Sequence, residues 1–155
     1  MSILGPHVNY GIDKVVVPQK LFGLYPFDWI DTLHPYAAAI KGPMTIPTSR
    51  HTQIDETQLA QAPLDALAYH PVLGPDIIVA RERHDLYIFG HFEYEADTLQ
   101  NEYTRDVGKG QTIDLPYNYF PENDTTRRPV NYWQQSGKQL FANWLSLIPV
   151  HENTL

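Results

Sequence analysis

A layered α/β or α+β fold is predicted by three observations. The β-branched and apolar runs, at Val15–Val17, Met44–Ile46, Ile77–Ala80 and Leu86–Phe89, all precede Gly90. The two longer helical patterns come after them. Thirteen prolines punctuate the chain, so the elements between them are short and loops carry much of the structure. The sheet so predicted is small and incomplete, because a parallel sheet would need more strand–helix units than the chain offers.

Taken in order, Val15–Val17 reads as a buried strand bounded by Pro18. Lys20 to Pro26 is apolar but broken by Gly23 and Pro26, which predicts a loop or hairpin arm. His34 to Ile40 predicts one or two helical turns, and Met44–Ile46 a second strand ending at Pro47, with Ser49–Thr52 as a polar loop after it. A short helix is expected from Asp55 or Glu56 to Ala62, with Asp55 as its N-cap. Leu64–Ala68 is a weak strand, whereas Ile77–Ala80 and Leu86–Phe89 are the best strands, joined by a polar, hairpin-like Arg81–Asp85. From Ala96 or Asp97 to about Val107, Leu99, Tyr103 and Val107 recur four apart, and Gly108 and Gly110 stop the helix. Gln111–Arg128 is a polar, proline-bearing loop. The last helix is predicted from about Val130 to Ile148, on the stripe Trp133, Gly137, Leu140, Phe141, Trp144, Leu145 and Ile148. With neither an internal repeat nor a low-complexity linker, residues 1–155 form one unit.

Composition narrows the partners. The 155 residues carry a net charge of −7, and the pI is near 5.3, which argues against nucleic acid or an anionic membrane as a main partner. No apolar run approaches a membrane span, and Met1–Pro6 has no basic segment of a secretory signal, so a cytoplasmic location is expected. Without cysteine there is no disulfide or thiolate site. The seven histidines show no His-x-x-x-His or His-Glu-x-x-His spacing, so no metal is expected.

The most chemically suggestive stretch is Gly90-His91-Phe92-Glu93, directly after the Leu86–Phe89 strand. An imidazole at a strand end, with a carboxylate two residues on, can serve as the base and its orienting partner in a nucleophilic triad. On spacing alone the plainer reading is an exposed loop histidine and a solvated carboxylate. Ser49, Arg50 and His51 form a second polar cluster, in which Arg50 can bind an anion and Ser49 can donate a hydrogen bond or act as a nucleophile beside His51; a simple polar turn is the bland alternative. Arg105 suits an ion pair with Glu102 or Asp106 on a solvated face. Lys20, in an apolar stretch, either snorkels or meets an anion.

Together, Lys20–Gly23, Ser49–Thr52, Gly90–Tyr94, Thr98–Asp106, Asn118–Pro121 with Asn123-Asp124, and Leu140–Leu145 resemble the C-terminal half of the homoserine O-acyltransferases (homoserine O-succinyltransferase, or trans-succinylase), within the glutamine-amidotransferase-like superfamily. The resemblance covers nearly all of this chain and about half of a full-length member. It implies half of a flavodoxin-like fold, a small incomplete sheet with two longer C-terminal helices. The implied activity moves an acetyl or succinyl group from acyl-CoA to the hydroxyl of L-homoserine, in methionine biosynthesis, through a cysteine thioester. It also implies His91 as general base, Glu93 as its orienting carboxylate, Arg105 as the holder of the amino-acid carboxylate, and Lys20 and Ser49 as substrate-binding positions. The only cofactor implied is acyl-CoA as co-substrate.

The family's nucleophile lies in a Cys-Trp-Gly turn about twenty residues before the lysine that Lys20 matches. That position falls just before Met1, and Ser2 is a poor replacement. The expectation is therefore a truncated, His/Glu-bearing half that is inactive alone and either dimerises through the 130–148 helix or pairs with a missing N-terminal half. Two alternatives stand beside it: acetylation of L-serine on the same fold for cysteine biosynthesis, since one methylene is discriminated by only about 1–3 kcal/mol, and a non-catalytic amino-acid-binding or interaction protein.

Overall fold

A computed structural model describes residues 4–149. Helix α1 (Leu4–Tyr10) leads into a long strand β1 (Lys14–Trp29), followed by β2 (Met44–Ile54), α2 (Glu56–Gln61), β3 (Leu64–His70), β4 (Gly74–Ala80), β5 (Leu86–Ile88), α3 (Thr98–Gly108) and α4 (Gln134–Leu147). Single 3-10 turns occupy Pro35–Ala37 and Pro121–Asn123. The strands make one five-stranded sheet in the order β2-β1-β3-β4-β5.

Every strand pair is antiparallel. The α/β class and the two longer C-terminal helices match expectation, but the ladder direction differs from that of a flavodoxin-like half. The reason is local: β3, β4 and β5 are joined by turns too short for a parallel crossover.

Strand β4 is buried at every position and explains the layering. Its Ile77 and Val79 join a core with Phe27, Met44, Ile46, Phe92 and Leu140, which lies under α4. Its Ile78 and Ala80 face the other way, into a core with Ile12, Ile54, Leu59 and Phe89 that includes α2. Successive side chains point to opposite faces, so a run apolar at every position needs cover on both sides. A third core joins Phe22 and Leu24 of β1 to Leu99 of α3 and to Tyr119, Phe120 and Trp133.

Lys20–Pro26 takes the hairpin-arm form of its two expected forms, inside β1 and antiparallel to β2, whereas Ser49–Thr52, expected as a loop, is strand inside β2. The prolines that suggested breaks sit where the ladder asks no N–H of them. Pro18 falls in the irregular stretch between the Val16–Thr52 and Leu21–Arg50 pairs, and Pro47 lies on the edge strand β2. Gly23, at φ +141°, is required where the backbone of Tyr117 bonds to Phe22 and Leu24, since a Cβ would strike that backbone.

Helix α2 forms as predicted, with the Asp55 carboxylate accepting from Gln58 N at 3.0 Å. The last helix starts at Gln134 rather than near Val130. Its buried side holds Gly137, Leu140 and Asn143, while Leu145, expected in the stripe, is exposed. Asn143 explains part of that rotation: its amide donates to Tyr36 O at 2.9 Å and Ala38 O at 2.7 Å, tying α4 to the 3-10 turn. Helix α1 had no sequence expectation; Asn9 and Tyr10 dock it on Tyr87. No helix among the described residues is long and apolar enough to cross a membrane.

Candidate functional site

The end of β5 is built to present His91. Asp76, wholly buried in β4, accepts the backbone N–H groups of Phe89 at 3.1 Å and Gly90 at 3.0 Å. His91 N then donates to Pro47 O of β2 at 2.8 Å. Gly90 lies against Ile46 and Pro47 so closely that no side chain fits there. With the backbone fixed on both sides, the His91 ring stacks on Tyr94, with centroids 4.3 Å apart and planes 10° from parallel. Its Nδ1 meets Glu93 Oε1 at 2.9 Å. The imidazole and the carboxylate two residues on are therefore in hydrogen-bond contact. Burial raises the Glu93 carboxyl, but its hydrogen bonds to His91 and to its own backbone N–H outweigh that and leave it below the usual value. A carboxylate on Nδ1 favours the tautomer with the proton on that nitrogen, which leaves Nε2 as the acceptor atom of the ring.

Lys20, Ser49 and Arg105, far apart in sequence, meet on one face of α3. The Ser49 hydroxyl donates to Glu102 Oε2 at 2.6 Å. Lys20 Nζ lies 3.4 Å from the same oxygen and 3.3 Å from Asp106 Oδ2, with its ammonium 4.0 Å from the Phe22 ring centroid. Arg105 Nε donates to Asp106 Oδ1 at 2.8 Å. Tyr94, whose ring lies on His91, donates its hydroxyl to Glu102 Oε1 at 3.1 Å. Burial, and then the negative charge of Glu102, push the Tyr94 phenol well above its ordinary range, so it remains a donor. The irregular stretch of β1 makes this meeting possible, since it sets Lys20 where the ladder with β2 is interrupted.

Of the readings of the 49–52 cluster, Ser49 takes the donor form, its hydroxyl going to Glu102 and not to His51, and Arg50 takes the anion-binding form, with an internal carboxylate as the anion. Arg50 Nη1 lies 3.4 Å from Asp76 Oδ2, and its Nη2 donates to Leu73 O at 3.4 Å. Glu102 and Asp76 escaped the sequence reading as site residues. Glu102 drew notice only as a helix-surface partner for Arg105, yet it anchors three groups. Asp76 had one visible signal, a lone charge in the otherwise apolar run Gly74–Ala80. Ser2 lies outside the described residues.

Two concavities flank these groups. One, of about 550 Å³, lies between the end of β5 and α4 and is lined by Gly90, Phe92, Glu93, Gly137, Lys138 and Phe141. The other, of about 1220 Å³, runs along β1 and the 111–118 loop, and Lys20 and Asp106 line it. Among the described residues no group of three His, Cys, Asp or Glu is placed to hold a metal ion.

The sequence model of the homoserine O-succinyltransferase family matches residues 5–154. The chain belongs to this family. It is similar to proteins named homoserine O-acetyltransferase: 36% identical over 144 residues to that of Ruegeria sp. (strain TM1040), covering 91% of this chain and 46% of the relative. Identity is 37% over 140 residues to that of Ruegeria pomeroyi, covering 90% and 45%, and 36% over 143 residues to that of Agathobacter rectalis, covering 92% and 46%. The chain thus spans about half the length of the curated relatives it matches.

Asp106 gives the site a measurable acid response. The hydrogen bond from Arg105 lowers its carboxyl most; burial opposes this, and Lys20 adds to the lowering. A carboxylate depressed in the folded state contributes stability in full above its unfolded value, near pH 3.9, and loses it as the pH falls through the lower folded value. Urea unfolding of Asp106→Asn from pH 7 to 2.5 should show lower stability than wild type at pH 7 and a shallower decline below about pH 4. Parallel curves for the two proteins would refute the ion-pair role.

Proposed function

We propose that this chain supplies the proton-transfer and acceptor-binding part of a homoserine O-acyltransferase, within methionine biosynthesis. The observation that carries this reading is the formed His91–Glu93 pair beside the Lys20–Ser49–Arg105 cluster, in a chain of this family. The acyl group is assigned as acetyl, after the names of the bacterial relatives.

The proposed reaction has two transfers. A cysteine thiolate from outside these 155 residues, paired with protonated His91, attacks the acyl-CoA carbonyl and forms an enzyme thioester; the CoA sulfur leaves as the thiol with the proton from His91 Nε2, which returns the imidazole to its neutral form. His91 Nε2 then takes the proton of the homoserine hydroxyl as that oxygen attacks the thioester. The cysteine leaves as thiolate, and the ester O-acylhomoserine forms. Glu93 on Nδ1 holds the ring and stabilises the imidazolium. Arg105 and Lys20 hold the acceptor carboxylate, with Ser49 donating a hydrogen bond. Membership of the glutamine-amidotransferase-like superfamily is part of the same proposal, with the antiparallel sheet as a module beside the nucleophile-bearing part. The outward face of α4, where Phe141, Leu145 and Leu147 are exposed, is where the rest of the assembly or a second copy would pack.

The test fuses this chain behind the part of the Ruegeria pomeroyi relative that it does not cover. Acetyl-CoA and L-homoserine should then yield O-acetylhomoserine by mass spectrometry, while the chain alone yields neither product nor acylated protein. A folded fusion that loads acetyl on its cysteine but never passes it to homoserine would defeat the reading. Preferential transfer to L-serine would move the acceptor.

A further inference from the structure

One backbone carbonyl beside His91 takes more donors than its own satisfaction needs. Tyr94 O accepts from Trp133 Nε1 at 2.9 Å, from Asn131 Nδ2 at 3.2 Å and from Gln134 Nε2 at 3.2 Å. A carbonyl oxygen has two lone pairs, so three donors saturate it. Trp133 is fully buried and needs a partner for its N–H, but Asn131 and Gln134 are only half-buried and could have turned to water. The Tyr94 side chain is fixed as well. Its hydroxyl donates to Glu102 Oε1 at 3.1 Å, and its ring packs against the core of Phe22, Leu99 and Trp133. Its N–H closes a turn on His91 O at 3.2 Å. Residue 94 is thus tied at once to the end of β5, to α3 and to the start of α4. What these ties hold in place is a flat aromatic face, 4.3 Å from the His91 ring and 10° from parallel to it.

We infer that Tyr94 is a positioning residue for His91, its ring a platform that holds the imidazole even without the hydrogen bond to Glu93. This rests on the reading of His91 as the general base. Glu93 alone is a weak guide. Its side chain is 60% exposed, so water competes for the carboxylate, and one hydrogen bond leaves the ring free to tilt about it. A parallel face at stacking distance removes that tilt. Glu93 then selects the tautomer, because the Tyr94 face keeps Nδ1 against it. The platform also suits the charge that proton transfer creates. A cation within about 6 Å of an aromatic centroid is attracted to the ring face, so the imidazolium formed at His91 meets a favourable surface already in place.

Nuclear magnetic resonance on the isotope-labelled 155-residue chain tests this and needs no turnover. In the wild-type chain the His91 ring protons should show contacts to the Tyr94 ring and the upfield displacement of protons lying over an aromatic face. Glu93→Ala, a change at an exposed side chain, should keep both. Their loss in that variant would overturn the inference, since Glu93 would then be what holds the ring. Tyr94→Leu removes the platform but keeps the carbonyl that Asn131, Trp133 and Gln134 use, so the loop should stay in place. Its His91 ring-nitrogen shifts should move from a single tautomer towards the mixture of a free imidazole, and Tyr94→Phe should restore the single tautomer. A folded Tyr94→Leu chain with wild-type His91 shifts would overturn the inference as well. In the fused, cysteine-bearing enzyme, Tyr94→Leu should lower kcat about ten- to a hundredfold with little change in the KM for homoserine, and Tyr94→Phe should recover most of it. An unchanged kcat in Tyr94→Leu would remove the platform from the reaction. The ring contacts are read in the chain alone, so their absence counts against the platform, whereas a His91→Ala fusion of normal kcat counts against the base on which it rests.

Discussion

Replacing His91 by Ala in the fused, cysteine-bearing enzyme should lower kcat by about 10²–10⁴-fold, the usual contribution of a positioned general base. The fold should survive, because the backbone around residue 91 is held by groups other than the imidazole. His91 N bonds to Pro47 O, and the amides of Phe89 and Gly90 bond to Asp76. Glu93→Gln should cost less. Glu93 is 60% exposed at its side chain, so its pairing with His91 is screened by solvent and acts mainly through ring orientation. The two effects separate in steady-state kinetics with homoserine as the varied substrate. His91→Ala should depress kcat with little change in KM, since the hydroxyl proton is shared with the base chiefly in the transition state. A His91→Ala enzyme with a normal kcat would remove the histidine from the mechanism.

What the residues revealed in advance, and what they concealed, follows from the range over which each signal acts. His91 and Glu93 are two residues apart on one loop, so their contact depends on local geometry; spacing offered it as a candidate while favouring a solvated pair. The cap on α2 is equally local. Lys20, Ser49 and Arg105 were given their roles by resemblance, but the carboxylates that gather them, Glu102 for Lys20 and Ser49 and Asp106 for Lys20 and Arg105, were not, because that gathering exists only once α3 packs across β1 and β2. The strand identity of Ser49–Thr52, and the choice between loop and hairpin arm at Lys20–Pro26, were hidden for a related reason. Proline and glycine are read as breaks, yet an edge strand, an irregular register and a neighbouring backbone at Tyr117 each remove the penalty that reading assumes. Helix α1 has no strong periodicity of its own and depends on Tyr87, nearly eighty residues away.

The largest stability effect is expected from Asp76, which touches no substrate in the proposed mechanism. Its carboxylate is fully buried and compensates three donors: the amides of Phe89 and Gly90, and the guanidinium of Arg50, itself only 8% exposed. Burial raises the Asp76 carboxyl and lowers Arg50; their mutual attraction and the two amides oppose this. Asp76→Ala would leave a buried cation without its partner and two amides without acceptors, a loss of about 3–5 kcal/mol. For a domain of this size that is a fall in Tm of about 6–20 °C. Asp76→Asn should cost less, because the side-chain carbonyl can still accept from both amides. The double replacement Arg50→Leu with Asp76→Leu should also cost less than the sum of its two single replacements, because neither charge is then left buried alone. Additive losses in that cycle, measured by urea unfolding, would show that the two residues act independently. Coupled losses would make the pair the support on which the His91 backbone rests, and local opening should then appear as faster hydrogen exchange at Phe89 and Gly90 in Asp76→Asn before global stability is lost.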